Sequence, residues 1–89
     1  APGVNADYFS TKFEGVFYFD AGDYQFYSRV DDGVRVYIDN ILLIDAWYDG
    51  YKEPSNTFRQ LGGGNHTIRV EFYERTGTAF VRVWWSRIN

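Results

Sequence analysis

The sequence predicts an all-β fold, an antiparallel β-sandwich of about seven short strands. Three observations carry that prediction. Apolar residues alternate with period two over much of the chain, and no stretch repeats them at a three-four spacing. Short breaks rich in Gly, Asp and Asn fall between the alternating runs: "DAGD", "DDG", "DN", "GGGN" and "ERTG". Aromatics make up 21% of 89 residues, with eight Phe, eight Tyr and three Trp. Each buried ring removes about 150–250 Å² from water. A chain this short buries only roughly 60–65% of its unfolded surface, so large rings supply what its length cannot.

The strands follow in order. In "KFEGVFYF", Phe13, Phe17 and Phe19 share one face. After "DAGD", "YQFYSRV" places Tyr24, Phe26, Ser28 and Val30 on one face, with Gln25, Tyr27 and Arg29 on the other. "DDG" interrupts, and Val34, Val36 and Ile38 then alternate with Arg35 and Tyr37. Asp39-Asn40 stands between two apolar runs and predicts a two-residue hairpin, because both residues tolerate positive φ. "ILLID" returns as a strand. "AWYDGYKEPSN" has no periodicity and reads as a long loop, followed by a short strand in "TFRQL". Gly62-Gly63-Gly64-Asn65 reads as a hairpin turn rather than a linker. His66, Ile68, Val70 and Phe72 alternate with Thr67, Arg69, Glu71 and Tyr73. In the last strand Ala79, Val81, Val83 and Trp85 alternate with Phe80, Arg82 and Trp84. Wet alternate positions imply that each sheet has one solvated face.

Residues 1–89 are thus read as one domain, expected to act as a monomer within a multidomain protein. The opening "APGVNADYF" reads as a fragment boundary. A net charge of −3 argues against a nucleic-acid binder, which needs a basic stripe for phosphates. No apolar run approaches the roughly 18–20 residues of a membrane span. The chain has no cysteine, so no disulfide framework is available.

Two blocks carry a family resemblance. "FEGVFYFDAGDYQFYSRVDDGVRVYIDNILLIDAW" combines an Ala-Gly turn, a Tyr-x-Phe strand, Asp-Asp-Gly-Val-Arg-x-Tyr-Ile-Asp and a Leu-x-Ile-Asp-x-Trp close. "LGGGNHTIRVEFYERTGTAFVRVWW" combines a Leu-x-x-Gly turn, an Ile-Arg-Val-Glu-aromatic-Tyr-Glu strand and a Gly-x-Ala strand ending in Trp. In order and spacing they resemble the anthrax protective-antigen domain family, the PA14 module of bacterial toxins, glycosidases and yeast adhesins. The likeness covers most of the chain, from about Phe13 to Trp85, and departs at the front, where members usually carry further strands. It implies a protective-antigen-like sandwich and, in many members, binding of an oligosaccharide or polysaccharide on a secreted or cell-surface protein.

The resemblance makes Asp31 and Asp32 the first candidate site. In the adhesin branch an Asp-Asp pair joined by a cis peptide bond binds calcium, and the ion holds sugar hydroxyls. Calcium takes about 6–8 oxygens, and two carboxylates from one turn supply charge at short reach. The adhesin site also draws on an Asn side chain and carbonyls from a later loop. The matching loop here, "YERTGTA", has no Asn, which leaves Glu74 and Thr76 as the substitutes. The alternative is structural: Asp caps its own turn and Gly33 supplies freedom in φ.

Trp47, Tyr48, Asp49 and Tyr51 form the second candidate. Sugars stack their C–H faces on exposed rings while polar neighbours hold the hydroxyls. Burial is the competing reading for Trp47, whereas Tyr48 and Tyr51 are expected to stay partly exposed. Asp45, Asp49 and Glu53 lack the spacing of a helix-loop-helix calcium loop and read as a solvated set. His66 is the only histidine, expected at a surface or edge position, and Asn65-His66-Thr67 is a glycosylation sequon. Catalysis is not expected. No nucleophile motif is present, and adjacent aspartates do not suit a glycosidic bond, whose flanking carboxylates stand about 5–9.5 Å apart. The sequence therefore supports a non-catalytic glycan-binding module, or else a structural or protein-interaction module that binds no glycan.

Overall fold

The alternating runs become seven antiparallel strands in the computed structural model, which describes residues 9–75 and 80–89. They are β1 (Phe9–Phe19), β2 (Gly22–Asp31), β3 (Gly33–Ile38), β4 (Ile41–Ala46), β5 (Ser55–Leu61), β6 (Gly64–Glu74) and β7 (Phe80–Arg87). One sheet has the order β1-β6-β3-β4 and the other the order β5-β2-β7. The predicted all-β sandwich is therefore the observed one.

Faces assigned by alternation are the faces that are buried. Along β2, Tyr24, Phe26, Ser28 and Val30 point inward, and Val34, Val36 and Ile38 meet them from β3. Phe19, Ile68 and Val70 complete the sandwich interior. Phe19 sits at the centre of an aromatic cluster, edge-on to Tyr24 at 5.1 Å and 5.3 Å from Trp85, which in turn lies 5.5 Å from Phe26. These are the offset and edge geometries that add to burial for ring pairs. Toward the start of β1 the same face runs out into solvent, where Phe13 is exposed beside an apolar groove lined by Phe17, Phe72, Val81 and Trp85.

Turn chemistry did not reveal which turns stay within a sheet. Asp39 and Asn40 have φ of 50° and 67° and join β3 to β4 as the predicted hairpin. Gly62 to Asn65, however, do not form a hairpin turn. β5 and β6 belong to different sheets, so Gly62-Gly63 carries the chain across the sandwich and Gly64-Asn65 already begins β6. The breaks at Asp20-Ala21 and at Asp32 are also sheet-to-sheet crossings. Glycine and aspartate favour a reversal of either kind, since both serve the same local backbone need.

The long loop after β4 is tied down. Lys52 and Val30 exchange both backbone hydrogen bonds at 3.0 Å, and the Pro54 carbonyl accepts from the Ser28 amide and hydroxyl. This pins residues 52–54 along the end of β2, beside Asp31 and Asp32. Among the described residues no helix is long and apolar enough to cross a membrane.

Candidate functional site

Four residues from two segments, the end of β6 and the loop after β4, converge on Asp32, the residue that links β2 to β3, and every polar atom of Asp32 is used. Its N–H donates to the Tyr73 carbonyl at 2.9 Å. Its Oδ1 accepts the Gly50 N–H at 2.9 Å and its Oδ2 accepts the Arg75 N–H at 2.6 Å. Its own carbonyl accepts from the Lys52 ammonium. Asp32 is only 8% exposed, so this full pairing is what makes its burial tolerable. The peptide bond between Asp31 and Asp32 is cis.

The two carboxyls differ in electrostatics. Burial raises the Asp31 pKa, and the neighbouring Asp32 and Glu74 carboxylates raise it further. Burial acts the same way on Asp32, but the two amide donors outweigh it and hold Asp32 below the usual carboxylate value. Asp32 is therefore a fixed anion, and Asp31 is the group with proton affinity to spare.

Lys52 is the feature that sequence reading missed. Its ammonium donates to the carbonyls of Asp32, Tyr48 and Gly50 and lies 4.3 Å from the Tyr48 ring centroid. Asp31, Asp32 and Asp49 surround it with negative charge. A lone lysine between Tyr51 and Glu53 in a polar loop reads as solvated. Only the backbone bridge to Val30, which the sequence does not announce, turns it inward.

As arranged, this donor set fits an ammonium better than a calcium ion. Three carbonyls of the cage accept from Lys52, and both Asp32 carboxylate oxygens accept from amides. Among the described residues, no group of three or more His, Asp or Glu side chains is placed to hold a metal. Glu74 is 2% exposed and close to Asp31, and Thr76 lies outside the described residues.

The second candidate set divides in two. Trp47 is half-buried, tilted against Tyr73 at 4.8 Å with the Arg35 guanidinium 4.6 Å above its ring. Asp49 is engaged by the Tyr73 hydroxyl and by Arg75, each at 2.7 Å. Tyr48 and Tyr51 present 60% and 55% of their surface to solvent beside this acidic turn. Tyr51 donates its hydroxyl to Glu53 at 2.7 Å, and Asp45 pairs with Arg35 at 3.0 Å, so Asp45, Asp49 and Glu53 serve separate partners.

Gly33 has a different role from the one expected. It does not adopt positive φ. A Cβ there would stand 2.2 Å from Tyr73 Cε2, so glycine is required by the approach of that ring. His66 is half-buried on β6, an interior strand rather than an edge. It packs edge-on against Phe19 at 5.6 Å, far from being a free surface residue.

Comparison with known proteins gives a consistent picture. The PA14 domain model matches residues 1–89. The anti-sigma-I factor RsgI3 of Acetivibrio thermocellus is 36% identical over 64 residues, which is 71% of this chain and 10% of that protein. The PA14 domain of the MpAFP antifreeze protein superposes with a TM-score of 0.79 at 18% identity, over 91% of this chain and 44% of that one. A PA14 sugar-binding domain from an RTX adhesin superposes at 0.77 with 25% identity, over 93% and 48%. The chain thus spans a small part of its curated relative and under half of each solved chain.

Proposed function

The chain belongs to the PA14 domain family, and on that premise we propose that it is a non-catalytic carbohydrate-binding module of a secreted or surface protein. One observation carries the reading: two tyrosine rings, Tyr48 and Tyr51, stand exposed beside an acidic, hydrogen-bonded turn. Rings and carboxylates are the two contact types a sugar uses, the first for its C–H faces and the second for its hydroxyls. The sugar-binding domain of the RTX adhesin supports the reading by likeness. In it, Tyr48 and Tyr51 stack the sugar, Asp31 and Asp49 accept from hydroxyls, and Trp47 supports the loop.

The test is calorimetric titration with soluble neutral and acidic polysaccharides, in calcium and in chelator. Binding that falls at least about tenfold in Tyr48→Ala and Tyr51→Ala, with the β-sheet circular-dichroism spectrum retained, supports the site. A calcium-assisted form needs the ion to displace Lys52, and the chelator arm separates it from metal-free binding.

The anti-sigma relative favours a second reading, since at 36% identity it is nearer in sequence than the adhesin domain. Here the module serves assembly or regulation within a larger protein and binds no glycan. Silence across the polysaccharide panel, in both calcium and chelator, selects it.

A further inference from the structure

We propose that Lys52 is the resident cation of the Asp31–Asp32 turn, a tethered ammonium that assembles the loop of residues 48–52 in the place where the resemblance puts a calcium ion. The inference holds whether or not the domain binds a glycan.

Geometry carries it. An ammonium has three N–H donors and no acceptor. Lys52 points all three at carbonyls, from Asp32 across the sandwich crossing and from Tyr48 and Gly50 in its own loop. The Tyr48 ring flanks the ammonium, in cation–π contact at 4.3 Å. Asp31, Asp32 and Asp49 supply the counter-charge. Oxygen ligands and surrounding carboxylates are what a hard cation takes. Here the cation is covalently attached, so no ion has to be recruited and no translational freedom is lost when the cage closes.

The arrangement also explains the conformation of the loop. With the carbonyls of residues 48 and 50 both on the Lys52 ammonium, Gly50 adopts φ of 104° and its N–H donates to Asp32 Oδ1. One turn of chain thereby gives its oxygens to Lys52 and an amide to Asp32, and Lys52 in turn donates to the Asp32 carbonyl at the sheet crossing. Burial pulls the Lys52 pKa down, while the Asp32, Asp31 and Asp49 carboxylates act against it.

The chain has two lysines, and the other, Lys12, is exposed on β1, so it is an internal control. The first measurement is on the unaltered protein: melting in chelator and across millimolar calcium, the range of weak extracellular sites. A flat melting temperature is expected, and a rise of several degrees overturns the proposal because it shows the ion winning the cage. The second compares the acetylation rates of the two lysines by mass spectrometry. Lys52 is expected to react at least about tenfold more slowly, since it must leave its cage first. Equal rates overturn the proposal. The third compares Lys52→Met with Lys12→Met. A lower melting temperature in the first alone supports the assignment, and equal melting temperatures overturn it. If Lys52→Met does not fold, the first two measurements decide.

Discussion

The Asp32 carboxylate accepts the Arg75 amide at 2.6 Å and so joins the residue after β2 to the residue after β6, 43 positions along the chain. Its other oxygen accepts the Gly50 amide at 2.9 Å. A single side chain therefore closes two loops that belong to different parts of the sequence. Asp32→Ala strands two amides and is expected to lower stability by about 2–3 kcal/mol, measured by urea unfolding. Asp32→Asn keeps one acceptor but turns an NH₂ toward an amide, so an intermediate loss is expected. The Asp32 pKa is depressed from 3.8, so its contribution is present above 3.8 and lost as pH falls through the lower folded value. If Asp32→Ala unfolds at the same urea concentration as the unaltered chain, the carboxylate does not tie these loops.

Asp31 is expected to behave in the opposite sense. Burial and the carboxylates of Asp32 and Glu74 raise its folded pKa above 3.8. A raised carboxyl favours the folded state most below its unfolded pKa, and that advantage is lost as pH rises through the folded value. At neutral pH the ionised Asp31 is a cost. Asp31→Asn, which removes the charge and keeps the shape, should therefore raise the melting temperature at pH 7 and leave it nearly unchanged in acid. If Asp31 is a sugar contact, the same variant weakens binding, a stability gain bought with function. A lower melting temperature at pH 7 counts against the electrostatic assignment.

What the sequence showed and what it hid follow one physical division. Period-two alternation reports burial directly, so the inward faces of Tyr24 to Val30 and of Val34 to Ile38 were legible, as was the Asp39-Asn40 hairpin with its two positive φ values. Whether a turn stays in its sheet is decided by long-range pairing, so the crossing at Gly62-Gly63 had the same local signature as a hairpin. Asp31 and Asp32 could be singled out as a doublet, but not the atoms they meet. Two of the partners of Asp32 are backbone amides, which have no residue-type signature, and Lys52 is a residue that usually points to water. Gly33 looked like a source of turn freedom because the ring that excludes a side chain there belongs to Tyr73, forty positions away.

That contact gives a third prediction. The clash at Gly33 is with a ring held in place: Tyr73 is 5% exposed, packs against Trp47 at 4.8 Å and donates its hydroxyl to Asp49 at 2.7 Å. It cannot swing aside, so Gly33→Ala is expected to cost about 1–3 kcal/mol through overpacking. Tyr73→Leu vacates the space and should make the alanine nearly neutral in the double variant. A double-mutant cycle by chemical denaturation measures this, and additive losses would show that the ring is not the obstacle.

The hairpin at Asp39-Asn40 carries the last prediction. His66 Nε2 lies 2.6 Å from the Gly62 carbonyl and Nδ1 lies 2.5 Å from Asp39 Oδ2. Both partners can only accept, so both ring nitrogens must donate, and only the imidazolium has two N–H groups. The Asp39 hydrogen bond and then the Gly62 carbonyl accordingly raise the His66 pKa above 6.5, and the hydrogen bonds that Asp39 accepts from His66 and from the Thr67 amide lower its pKa below 3.8. The histidine contribution is complete below 6.5 and lost as pH rises through its folded value, while the aspartate contribution is complete above 3.8 and lost as pH falls through its folded value. The pair thus stabilises most in mildly acid solution. The melting temperature is expected to fall as pH rises from below 6.5 through the raised folded value of His66, and His66→Gln, which cannot take a second proton, should flatten that slope. A variant that keeps the full slope would assign the pH dependence to other groups, because deprotonated imidazole at Nε2 or Nδ1 would then face an acceptor at no measurable cost.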